Sequence, residues 1–202
     1  MIRATSLLSL VAVVTLAASP ASVAEAWNID KPHTEINFSV KHFFTPVSGS
    51  FQDFDVDLQY DAANPANSSV DVRIAVASVN TGDAERDEHL RSRDFFEAGT
   101  HPVITFRSTS VSAAGEGRLL ARGPLTIKGV TREIELPITV LGTQEIPEEM
   151  QGMLGGVKRV AGFQASHRIR RQDFGVGVGN WAATLVVGGD VEISIAVEAN
   201  QM

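Results

Sequence analysis

The sequence predicts an all-β chain that closes as an eight-stranded antiparallel barrel with one short helix near residues 83–92. Three observations carry this. Segment after segment alternates apolar and polar residues, the mark of a strand with one buried and one wet face. The connections are of hairpin length, with no strand–helix–strand alternation of the kind that builds parallel sheets. About eight such strands can be counted, the number at which an up-and-down sheet closes on itself without leaving edges. A two-sheet sandwich fits the same alternation.

Taken in order, residues 1–26 read as a leader rather than as fold. Arg3 precedes a short apolar run over 7–18, and Ser22-Val23-Ala24 and Ala24-Glu25-Ala26 both fit a small-x-small cleavage site. The run is too short for a membrane span, so an exported protein of residues 27–202 is expected, cleaved between Ala24 and Ala26. That remainder is one domain's worth of chain. A net charge of −7 argues against nucleic acid. The absence of cysteine excludes disulfides and thiolate chemistry, leaving burial to hold the fold.

From Trp27 onward the strands follow quickly. Ile36, Phe38, Val40 and His42 share one parity, and Gly49-Ser50 reads as the turn after them. Phe54, Val56, Leu58 and Tyr60 alternate with Asp53, Asp55, Asp57 and Gln59; Phe51 falls on the wrong parity, so it faces out or a bulge resets the register. Val70, Val72, Ile74 and Val76 give the next strand. The period changes at residues 83–91 (DAERDEHLR), rich in helix formers and carrying Leu90 as its one large apolar residue, a surface piece pinned by Phe95 and Phe96. Residues 103–111 and 118–125 are strands again. Residues 125–140 (LTIKGVTREIELPITV) are the clearest hairpin, with Lys128-Gly129 as a two-residue turn and Ile134, Leu136, Ile138 and Val140 on one face. Residues 143–156 form the long irregular stretch, with Met150, Met153 and Leu154, and read as a surface loop or a flap. Strands over 157–169 (Phe163 and Ile169 on one parity) and 191–197 (Val191, Ile193, Ile195, Val197) complete the set.

These pieces resemble the YceI-like proteins of bacterial periplasms. The matching residues are Trp27-Asn28-Ile29-Asp30 with His33-Thr34, Phe38-Ser39-Val40-Lys41-His42, Val47-Ser48-Gly49-Ser50-Phe51, Thr81-Gly82 with Arg86 to Ser92 and Asp94-Phe95-Phe96, Ile104-Thr105-Phe106, Gly123-Pro124 through Thr131, Arg171-Gln172-Asp173-Phe174-Gly175, and Val197-Glu198-Ala199. The resemblance spans nearly the whole chain after the leader. It implies a lipocalin-like barrel whose apolar interior holds a long isoprenoid chain, a polyprenyl or quinone tail, and it brings no catalytic residue and no cofactor.

The inward residues by themselves suit a filled core; the resemblance favours a tube. Its expected lining is Phe38, Val40, Val56, Leu58, Val72, Ile74, Phe106, Ile134, Leu136, Phe163, Ile193 and Ile195, with His42 at the mouth. Arg91, Arg93 and Arg168 are candidate head-group contacts, although a charged run on a surface helix is ordinarily a solvated face. No H-E-x-x-H or other metal spacing is present, and Gly175, Gly177 and Gly179 lack the strand–turn–helix order of a dinucleotide loop. The expected partners are therefore a long-chain isoprenoid or similar apolar lipid and, in passing, a membrane, with the protein a monomer or homodimer. The alternatives are an enzyme acting on a lipophilic substrate held in the barrel and a ligand-free interaction module.

Overall fold

A computed structural model describes residues 23–202. Most of the expected leader, residues 1–22, lies outside the described residues. Twelve strand segments join into eight ribbons. β1 (Glu25–Ile29) and β2 (Glu35–His42) are two halves of the first, and β3 (Thr45–Phe51) and β4 (Phe54–Tyr60) of the second. β5 (Ser69–Ala75) with β6 (Val79–Asn80), and β7 (Val103–Arg107) with β8 (Ser110–Ala113), make the third and fourth. β9 (Arg118–Ile127), β10 (Val130–Glu145), β11 (Arg159–Arg170) and β12 (Val187–Gln201) are each continuous. Two short helices, α1 (Ala84–Arg91) and α2 (Glu148–Gln151), sit in connections.

Every ribbon pairs antiparallel with its sequence neighbour. The last returns to the first: β12 pairs with β2 through Ile193↔Phe38 and with β1 through Asn28↔Asn200. The result is a closed eight-stranded up-and-down barrel; only the short segments β6 and β8, among the described residues, pair on one side alone. One end carries the start of β1, the end of β12 and the α2 loop. The opposite end carries the β2–β3 turn, the Lys128-Gly129 turn, the segment around α1, and the connection from β11 to β12.

Local chemistry explains the breaks. Between β1 and β2 the chain makes a 3-10 turn at Lys31–His33 that begins with Pro32. Buried Thr34 locks it, its hydroxyl donating to the Asp30 carbonyl at 2.8 Å and accepting from Glu198 N at 3.3 Å. The second ribbon bends at Gln52-Asp53, and the bend turns both Phe51 and Phe54 inward, 8% and 6% exposed. Phe51 therefore belongs to a strand of its own, opposite Ile36. The turn expected at Gly49-Ser50 is instead at Phe43-Phe44, and Gly49 lies inside β3. A Cβ at Gly49 would stand 2.5 Å from the Phe38 ring, so glycine there makes room for an aromatic and does not turn the chain.

The helix expected over residues 83–92 is α1. Asp83 caps it, accepting from Arg86 N at 2.9 Å. Buried Asp87 accepts from Thr81 N at 2.8 Å and from Thr81 Oγ1 at 2.6 Å. Polar bonds, rather than an apolar stripe, thus fix so short a helix. In the 143–156 stretch β10 runs on to Glu145, α2 follows, and Met150, Met153 and Leu154 are exposed and stand apart from the barrel interior.

Candidate ligand-binding lumen

Inside the barrel is a cavity of about 240 Å³ with almost wholly apolar walls, contributed by all eight ribbons. The inner side chains do not plug it. Val56, Leu58, Val72, Ile193 and Ile195 point inward yet stay only half-buried, because the surface they expose faces the lumen. Towards the ends the packing tightens. On the side of the chain termini, buried Trp27 and Phe163 pack with Tyr60, whose ring meets Phe163 edge-on at 5.1 Å; the Arg159 guanidinium lies 5.2 Å over the Trp27 ring. At the opposite end Leu90, Phe95, Phe96, Phe174 and Val176 border the cavity, brought there by the α1 segment and the β11–β12 connection.

The structure places Phe38, Val40, Val56, Leu58, Val72, Ile74, Phe106, Ile134, Leu136, Phe163, Ile193 and Ile195 on the lining. His42 is not on it: it is exposed at the end of β2, its ring edge-on to Phe43 at 4.9 Å. None of the three candidate head-group arginines borders the lumen. Arg91 donates to the Ala77 carbonyl at 3.1 Å beside a shallow surface dent. Arg93 is exposed and offers its carbonyl to Lys128 Nζ at 2.8 Å. Arg168 is exposed and paired with Glu192 at 2.5 Å. Alternation explains these misplacements. Arg168 falls on the outward parity of β11, and His42 lies beyond Val40, the last lining residue of β2.

Among the lining residues absent from the expected set are two basic ones. Arg171 is 4% exposed, and its five N–H groups are all committed to main-chain carbonyls. Nε donates to Gly188, Nη1 to Val176 and Gly177, and Nη2 to Trp181 at 2.7 Å and Val187 at 2.9 Å. Burial lowers its pKa from the ordinary guanidinium value. It fastens the β11–β12 connection over one end of the lumen and has no donor left for a ligand. In sequence it stands beside Arg168 and Arg170 with nothing local to mark it as buried.

His167 lies on the inward parity of β11, opposite Ile193 and across the lumen wall from Phe38. Burial lowers its pKa, so the ring is neutral at pH 7, and among the described residues it has no hydrogen-bond partner. The even spacing of Phe163, Ala165, His167 and Ile169 could have found it.

Other polar groups lie outside the lumen. Asp30, His33 and Glu198 cluster at the break between β1 and β2, with His33 Nδ1 at 3.1 Å from Asp30 and 3.8 Å from Glu198. The hydrogen bond to Asp30, and then the charges of Asp30 and Glu198, raise the His33 pKa. His89, Asp94 and Trp181 join α1 to the β11–β12 connection: Asp94 accepts from Trp181 Nε1 and pairs with His89, both at 3.2 Å.

A closed eight-stranded barrel with these residues matches the YceI-like domain over residues 27–199. The chain belongs to the YceI-like family. It is 38% identical over 196 residues to a UPF0312 protein of Pectobacterium atrosepticum, covering 96% of this chain and 95% of that one. It is 36% identical over 199 residues to protein YceI of Escherichia coli O157:H7, covering 97% of each. Among solved structures, Burkholderia cenocepacia BcnA superposes with a TM-score of 0.76 at 27% identity, over 85% of this chain and 99% of BcnA. A domain from Saccharophagus degradans, described as polyisoprenoid-binding, shares the fold at 18% identity, with a TM-score of 0.60 over 88% of this chain and 99% of that one.

Proposed function

We propose that this YceI-like protein holds the apolar tail of an isoprenoid lipid in its lumen and carries it through the aqueous periplasm. The observation that supports this most is the hollow: apolar side chains that point inward and leave space between them. Each methylene moved from water to such a wall is worth about 0.8 kcal/mol, so one five-carbon unit contributes roughly 3–4 kcal/mol. A few units suffice for micromolar binding after the costs of association. The polyisoprenoid binding described for the Saccharophagus degradans domain is in line with this reading.

The head group this lumen suits is uncharged. Arg171 has no donor to offer a phosphate, and polar atoms add almost nothing to the cavity wall. A quinone carbonyl or an alcohol, neither of them charged, meets that condition. The activity proposed is reversible binding without a chemical step. Purification from the periplasm without detergent, then organic extraction and mass spectrometry, tests it. A polyisoprenoid near one per protein is expected; empty protein that takes up no such lipid when offered it would refute the reading.

A further inference from the structure

The β2–β3 hairpin turns on Phe43-Phe44, an unfavourable choice by ordinary turn chemistry. Two-residue hairpin turns need positive φ and favour Asn-Gly. The Lys128-Gly129 turn at the same end of the barrel conforms, with φ of 48° and 73°. Phe43 instead holds φ 52°, a strained region for a bulky side chain, and Phe44 is 94% exposed. The chain therefore accepts backbone strain and bare aromatic surface at one tip.

The tip is not isolated. Phe43 N donates to the Val186 carbonyl at 2.8 Å, which sets the hairpin beside Leu185, 77% exposed. From there the wall runs straight into the lumen, since Val187 borders the cavity opposite His42, and the Val40–Val191 pair follows. The charge pattern agrees. Residues 41–52 contain one lysine and no carboxylate, and residues 174–189 contain no charged residue, in a chain with 24 acidic residues. A carboxylate-free, aromatic-tipped hairpin continuous with an apolar channel fits a bilayer interface.

We propose that Phe43, Phe44 and Leu185 form a docking tip that inserts into a lipid bilayer and sets the adjoining end of the lumen against it. The assignment rests on the lumen being the lipid site and adds the surface through which lipid is exchanged. The apolar residues at the far end, Leu141 and Met153, make a control, because they do not border the cavity.

The test is flotation with phosphatidylcholine vesicles. The double variant Phe43→Asn/Phe44→Gly installs the favoured turn and should fold at least as well as the parent. Its partitioning onto vesicles should fall at least tenfold, whereas Leu141→Ser/Met153→Ser should partition as the parent does. Uptake of a polyprenyl alcohol delivered from cyclodextrin should be unchanged in the turn variant, and extraction of the same alcohol from vesicles should slow in step with partitioning. Equal partitioning of parent and turn variant would overturn the proposal, as would a concentration-dependent dimer that the turn variant abolishes. Vesicle docking without cyclodextrin-delivered uptake would instead sink the lumen as the lipid site and leave the docking tip standing.

Discussion

Arg171 shows how much one side chain can hold. Its guanidinium satisfies five carbonyls of the β11–β12 connection and stays cationic at any physiological pH. Arg171→Met would leave those carbonyls buried and unpaired, at a cost of about 3 kcal/mol or more. Thermal melting should report it as a lower Tm, with loss of near-ultraviolet signal from Trp181. Gly123→Ala tests close packing, since its Cβ would stand 2.0 Å from the Arg107 carbonyl. A backbone atom cannot swing aside, so about 1–3 kcal/mol of destabilisation is expected in denaturant unfolding. His167 carries a pH signature. Its folded pKa is below 6.5, so protons favour the unfolded chain. Its contribution is whole above pH 6.5 and is lost as pH falls from there through the folded value. His167→Leu should flatten that part of the Tm-against-pH curve; an unaltered slope would show that the ring is solvated. Both residues look ordinary in sequence, because burial and carbonyl crowding come from distant parts of the chain.

At the level of elements, the long alternating strands were plain in the sequence because a two-residue period admits one reading. The β2–β3 hairpin was not. Gly49 suggested a turn, but its role is steric, to admit Phe38, and steric demands across strands leave no local mark. Phe51 and Phe54 similarly reach one interior only because the ribbon bends between them. β1 begins at Glu25, which pairs with Tyr60 across the strands and whose carboxylate meets Arg159. Thr34→Val tests the junction of β1 and β2. Removing a buried hydroxyl that serves Asp30 and Glu198 should cost about 1–2 kcal/mol in denaturant unfolding.

For the molecule as a whole, closure explains both stability and use. Eight ribbons satisfy one another's backbone groups and leave a hollow that the side chains available do not fill. Alternation told which residues face inward; it could not tell whether they meet. That depends on the barrel's radius, which no single strand encodes. The most direct measurement is equilibrium binding of polyprenyl alcohols of increasing length to delipidated protein, alongside a Val72→Trp variant that fills the lumen. A hollow that holds the tail predicts affinity rising with each isoprene unit until the channel is full, and falling sharply in the variant. Affinity independent of chain length, or untouched by the tryptophan, would contradict it.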